Sequence, residues 1–336
     1  MAEIVLAMAT SHAPQLSTPV DQWRLHAERD RKAKGLYFRG RKYDFEELAR
    51  QRKGEDLERE ITLERMTERY NACQRAITIL QETFAAASIN IAVIIGDDQD
   101  EIFSESNMPA FSIYWGETVD NAPIPAEYVA KRSRGLIISD WGTYPPKKLT
   151  HPAQPALGKH LIEALISAEF DIAHSKSLPA GRFMNHSIPH AYGFVYRRLM
   201  NDNVVPNVPV FINTYYPPNQ PTLKRCYEFG EVIGRAVKRW DSDKKVAVIG
   251  SGGLSHFVID EDFDRQGLSA LQRRDEVGLF SIPESLLQSG NSEFKNWITV
   301  AGTIADQPVE MKIVDYVPCY RSDAGTGCAM GFAIWQ

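Results

Sequence analysis

Three short polar strings each follow directly on a run of aliphatic residues. Ser11-His12-Ala13-Pro14 comes after Ile4-Val5-Leu6-Ala7-Met8, and Gly96-Asp97-Asp98-Gln99 comes after Ile91-Ala92-Val93-Ile94-Ile95. Gly252-Gly253-Leu254-Ser255-His256 comes after Val246-Ala247-Val248-Ile249. Glu293, four residues before Trp297, adds a carboxylate to this set. Imidazole and carboxylate groups in such numbers are the donors that hold a single divalent transition metal. Each has a plainer reading when taken alone. His12 is pinned at a strand end by Pro14, which restricts the backbone ahead of it. An acidic residue at a helix start, as at Glu293, ordinarily complements the helix dipole. The glycines before His256 lack the full dinucleotide fingerprint and no helix pattern opens directly after them, so they serve close backbone approach and aim His256 rather than cradle phosphate. In Asn185-His186-Ser187-Ile188-Pro189-His190 two histidines stand four apart, but Pro189 argues against a regular helix there. At least one of that pair is expected outside any metal's own ligand set. His26, His151, His160 and His174 lie in polar or amphipathic surroundings and are expected to be structural.

For these strings to meet, the chain must bring several strand ends to one place. Carboxyl ends of parallel strands do so in an open α/β sheet, where ligands sit in the crevice beyond them. The patterning agrees. Leu63, Met66, Tyr70, Cys73, Ile77, Leu80 and Phe84 recur at helical spacing, and the apolar run Ile89–Ile95 follows at once as a strand covered on both faces. Leu157, Leu161, Ala164 and Leu165 mark a further helix, 170–173 and 208–213 read as strands, and 222–240 reads as a helix with Cys226, Ile233 and Val237 inside. Residues 104–150, rich in Pro, Gly and aromatics, read as long loops. Alternating β and α elements predict an α/β fold with a mainly parallel central sheet and helices on both faces. Hydrophobic residues at 43% suffice for a large core, and a net charge of −5 gives no general attraction to nucleic acid or anionic lipid. The four cysteines form no paired motif, no secretory signal is evident and no run reaches the length of a membrane span, which predicts a cytoplasmic protein.

Taken together, the strings resemble the class III extradiol ring-cleavage dioxygenases, the family of the catalytic β-subunit of protocatechuate 4,5-dioxygenase, and within it the 3-O-methylgallate dioxygenase branch. The resemblance runs from Ile4 to Gln336 with one insertion. It is densest at Asn213-Thr214-Tyr215-Tyr216-Pro217-Pro218, Lys224-Arg225-Cys226 and Gly250–His256, with further matches at Ser11-His12, Glu293-x-x-x-Trp297 and Thr326–Phe332.

The resemblance implies one catalytic domain over 1–336, with a polar and helical insertion at about 20–88. It implies Fe(II) held by two histidines and a glutamate, with positions left open for substrate and O2. His12 matches the first histidine and Glu293 the glutamate. The second histidine should end the Ile91–Ile95 strand, where this chain carries Gln99. Three outcomes stay open: Gln99 ligates through its amide oxygen, His186 or His190 replaces it, or the site is altered. His256 matches an acid–base catalyst, and His186 a histidine that contacts substrate or oxygen. Tyr215, Thr326 and Gly327 fall in segments that face the substrate, and Gly325-Thr326-Gly327 matches one that holds a ring carboxylate. Arg321, close in sequence, could contribute charge there, with an exposed arginine as the default expectation. The implied reaction opens the ring of a carboxylated catechol such as 3-O-methylgallate, gallate or protocatechuate. A zinc-dependent C–C hydrolase on the same fold and a binding protein without the metal are the alternatives. A homodimer is expected, with the insertion either covering the active site, so that no separate α-subunit is needed, or forming a peripheral excursion.

Overall fold

Four aliphatic runs form the parallel heart of the sheet. In the computed structural model, which describes residues 1–336, thirteen strands are present. They are β1 (Glu3–Thr10), β2 (Leu36–Phe38), β3 (Arg41–Tyr43), β4 (Ile91–Gly96), β5 (Phe111–Tyr114), β6 (Thr118–Asn121), β7 (Leu149–Pro152), β8 (Ala173–Ser175), β9 (Asn207–Ile212), β10 (Lys245–Ser251), β11 (His256–Val258), β12 (Met311–Tyr320) and β13 (Thr326–Trp335). The main sheet runs β11-β13-β1-β10-β4-β9-β5-β8, with β12 on β13. Strands β1, β10, β4 and β9 are mutually parallel, while β13 and β5 join them antiparallel from either side. A fully buried parallel strand needs apolar side chains on both faces, and β4 and β9 are buried at every position.

Successive residues of these strands feed two separate cores. On one face Ala7, Val93, Val246 and Val248 meet the helices Pro155–Ser167, Leu223–Arg239 and Phe294–Thr303. On the other, Leu6, Met8, Ile94 and Ile249 meet the helix Leu63–Ala86 and the segment Ala191–Leu199. The expected α/β architecture is therefore present, with antiparallel strands added at the flanks. A bulge between Ile4 and Leu6 puts one extra residue into β1 relative to β10. Beyond it Thr10 lies level with Ser251, and Gly250 with Ile95, so the three polar strings leave the sheet at one rim.

Close helix packing fixes the fourth element. A methyl group on Gly230 would meet the Thr299 carbonyl oxygen at 2.1 Å, and one on Gly234 would meet that of Thr303 at the same distance. The glycines thus allow Leu223–Arg239 to lie directly on Phe294–Thr303, which begins directly after Glu293.

Three local expectations are corrected. The 170–173 strand sits later, at Ala173–Ser175, because the Phe170 amide closes the exit of the preceding helix onto the Leu165 carbonyl. Residues 104–150 are not unbroken loop: they hold β5, β6 and the start of its partner β7, and two short helices, elements of four to six residues too short for periodicity to register. Leu63 is 58% exposed, so the buried stripe of its helix starts a turn later. No helix is long and apolar enough to cross a membrane.

Candidate metal centre and its cavity

The rim brings together His12 after β1, Asp97 after β4, and Glu293 at the mouth of the Phe294–Thr303 helix. One ligand atom from each lies within 4.8 Å of the others, and all three residues are buried. His12 has a defined tautomer. The Ser251 hydroxyl donates to the Ala191 carbonyl at 2.6 Å, so it accepts from His12 Nδ1 at 3.1 Å. That leaves the Nε2 lone pair of His12 aimed inward, 3.4 Å from Glu293 Oε2. A ligating histidine is typically fixed in this way through its other nitrogen. Glu293 is held from three sides: Gly253 N–H donates to Oε2 at 2.7 Å, while Gln99 Nε2 at 2.5 Å and His256 Nε2 at 3.1 Å approach Oε1.

A second imidazole points at the first. His190 Nε2 lies 3.1 Å from His12 Nε2, with the rings nearly perpendicular. Its Nδ1 is 2.7 Å from Glu101 Oε1, a close ion pair whose angle falls short of an in-line hydrogen bond. Its backbone N–H donates to the other Glu101 oxygen at 2.9 Å.

The electrostatics are those of a site prepared for a cation. Burial, reinforced by His190 and His256, lowers His12 to about 3 and outweighs Glu293. His12 is therefore neutral, and its approach to Glu293 is that of two electron-pair donors rather than an ion pair. Burial would raise Glu293, but His256 and the Gly253 amide hold it well below the usual carboxylate range. Burial and the Glu293 charge push the Asp97 carboxyl up. Asp97 Oδ1 accepts from Asn296 at 3.2 Å, whereas Oδ2 is buried without any partner. An orphaned buried acceptor among converging lone pairs is costly unless a cation meets it, so these residues fit a divalent metal.

The sequence-predicted residues divide cleanly. His12, Gln99, Tyr215, His256 and Glu293 all line one cavity of about 300 Å³, a volume at the small end of ligand sites. His186 does not. It is exposed, and its Nδ1 bonds the Leu178 carbonyl at 2.9 Å. Pro189 begins a short helix at His190 and turns that second histidine inward instead. Thr326 and Gly327 are also displaced from the cavity lining. Thr326 bonds Ser322 at 2.7 Å, and a side chain on Gly327 would strike the Cys319 carbonyl of the paired strand, so both are committed to the β12–β13 hairpin. Their neighbours Arg321 and Cys328 line the cavity. Arg321, expected outside, is buried in a two-bond pair with Asp30 at 2.7 and 3.0 Å and bonds Gln15 at 2.7 Å. Asp97, Glu101 and Arg29 escaped the sequence reading. Of the three, only Asp97 had a signal, its place directly after a buried strand.

Comparison with known proteins supplies the context. Residues 117–323 match the family model described as the catalytic LigB subunit of aromatic ring-opening dioxygenase. A 2,3-dihydroxyphenylpropionate/2,3-dihydroxicinnamic acid 1,2-dioxygenase of Cupriavidus necator is 35% identical over 109 residues, covering 32% of this chain and 31% of the relative. A gallate dioxygenase of Pseudomonas putida is 28% identical over 175 residues, 48% of each chain. The chain thus spans about a third to a half of the length of these curated relatives. The family match contains His190, His256 and Glu293, while His12 and Gln99 precede it.

Proposed function

The chain belongs to the family of catalytic LigB subunits of aromatic ring-opening dioxygenases, and on that premise we propose that it is an Fe(II)-dependent extradiol dioxygenase for a carboxylated catechol of the 3-O-methylgallate, gallate or protocatechuate kind. The observation that carries this reading is that ligand atoms of His12, Glu293 and Asp97 lie within 4.8 Å of one another, with Asp97 Oδ2 buried and without a partner. His12 and Glu293 are two of the metal's ligands. We assign the third place to His190, whose Nε2 already faces His12 and whose Nδ1 has the carboxylate partner usual for a ligating histidine. Gln99, by this assignment, orients Glu293 through its amide, since a neutral amide is the weaker donor.

When bound, the metal would hold catechol and O2 side by side, so that electron density can pass between them. The protein's own groups do the rest. His256 keeps its Nδ1–H on the Leu254 carbonyl at 2.8 Å, so proton exchange with a catechol hydroxyl takes place at Nε2. Gly253 and Gln99 hold the Glu293 carboxylate in a single orientation while this occurs. In this reading the segment at about 20–88, whose His26 and Arg29 line the cavity, does the work of a separate covering subunit.

The test is anaerobic loading with Fe(II), followed by oxygen uptake with each of the three catechols and absorbance detection of the ring-opened product. One iron per chain and one O2 consumed per ring opened are expected. Retention of zinc with hydrolysis of a ring-opened diketone, or failure to retain any metal, would move the reading to the hydrolase or to a binding protein.

A further inference from the structure

Four guanidinium groups reach the cavity: Arg29, Arg132, Arg182 and Arg321. Three are already matched. Arg132 pairs with Asp140 at 2.5 Å, Arg182 lies 3.9 Å from Glu101, and Arg321 takes both oxygens of Asp30. Arg29 stands apart. It makes no ion pair or side-chain hydrogen bond, and its guanidinium lies 5.7 Å over the ring of Phe257. The charges acting on it are chiefly Arg321 and Asp30, and Asp30 is spent on Arg321. Burial together with Arg321 lowers the Arg29 pKa, the mark of a cation lacking its counter-charge. It is also held in place, because the next residue, Asp30, anchors the helix Arg24–Asp30 to buried Arg321.

We propose that Arg29 is the receptor for the carboxylate of the ring substrate. A planar guanidinium with unused donors binds a carboxylate through two parallel hydrogen bonds. Partial exclusion of water by the cavity strengthens that bond relative to one on an open surface. Phe257, on which Arg29 rests, is edge-on to His256 at 5.4 Å. Arg29 and His256 thus share Phe257 as a neighbour, which sets the anionic end of the ligand on the His256 side of the cavity. The inference deepens the extradiol reading and rests on it for the identity of the ring.

The test compares 3-O-methylgallate with its methyl ester in the iron-loaded wild type, Arg29→Gln and Arg29→Lys. Loss of a charge-assisted bidentate bond should raise KM for the acid about 10–100-fold in Arg29→Gln with kcat much less affected, and lysine should recover part of the loss. The ester should lose far less. A parallel calorimetric titration of benzoate into protein without iron reads the carboxylate site apart from turnover, with weakened binding expected in Arg29→Gln. Equal losses for acid and ester, or unchanged KM and benzoate affinity, would overturn the assignment of Arg29. Wild-type protein that binds benzoate through Arg29 yet opens no catechol would instead sink the extradiol reading and leave the anion site standing.

Discussion

The Nε2 atoms of His12 and His190 lie 3.1 Å apart, although 178 residues separate them in the chain. With the His12 Nδ1–H on Ser251 and the His190 Nδ1 facing Glu101, two neutral imidazoles would meet lone pair to lone pair at that distance. A proton relieves the contact, and Glu101 favours one by raising His190 to about 9 against the effect of burial; a bound metal would relieve it too.

The ligand assignment has a non-additive signature. His12→Ala and Glu293→Ala should each cost more than the roughly 10–100-fold in metal affinity that follows loss of an outer partner. His190→Ala should also release iron. In a Gln99→His background the same His190→Ala change should cost much less, because the new imidazole beside Glu293 takes over as donor. Anaerobic iron titration of the four position 99 and 190 combinations measures this. Equal costs in both backgrounds would remove His190 from the ligand set.

His256→Gln should keep iron and substrate binding while ring opening falls by about 10²–10⁴-fold, the usual cost of losing a general acid–base group. Single-turnover kinetics with pre-bound catechol separate that outcome from simple weakening of binding. Loss of iron in this variant would place His256 on the metal.

Asp30→Asn should destabilise the protein by about 3–5 kcal/mol, since it strands the buried Arg321 without its counter-charge. The double replacement Asp30→Leu with Arg321→Met should recover much of that loss, because it removes both charges together. Urea unfolding monitored by circular dichroism gives the comparison.

His26 makes stability fall in acid. It is buried, with Nε2 on the Thr18 hydroxyl at 3.0 Å, and burial together with Arg321 and Arg29 lowers it to about 3 from the ordinary 6.5. Between those values the unfolded chain binds a proton that the folded chain refuses. Stability is thus fully present above about pH 6.5 and declines as pH drops toward 3, by at most about 1.4 kcal/mol per unit for this one group. His26→Gln should flatten the slope. Unfolding at pH 7.5 and pH 5.5 should show a smaller loss in the variant than in the wild type.

Much of this was legible from sequence because strand ends are local. A polar string that follows a buried aliphatic run must emerge at the rim of the sheet, which located His12, Gln99 and His256 without knowledge of the fold. Glu293 was readable as a helix start. What the sequence hid is chosen by distant partners. Arg321 looks like a surface residue until Asp30, 291 positions away, neutralises it in the interior. Of His186 and His190, the inward one is decided by the short helix that starts after Pro189 and by Glu101, neither of which leaves a periodic trace. Thr326 and Gly327 lie in a segment that does border the cavity, but Thr326 is spent on Ser322 and Gly327 packs on the Cys319 carbonyl of the paired strand, which leaves the lining to Cys328.

The extra residue near Val5 reaches further than its position suggests. A strand advances about 3.3 Å per residue and alternates its side chains, so donor positions along it change only in whole steps. With the bulge, Ile4 and Ala7 share one core although they are three positions apart, and the phase of everything downstream is reset before the strand ends. Deletion of Val5 would leave every group around the cavity chemically intact. The remainder of β1 would then either draw back by one step against β10, with His12 facing the wrong way, or keep its place at the cost of Ala2 and Ile4. Like the offset on a vernier scale, a displacement at the far end of the strand sets the reading at the other.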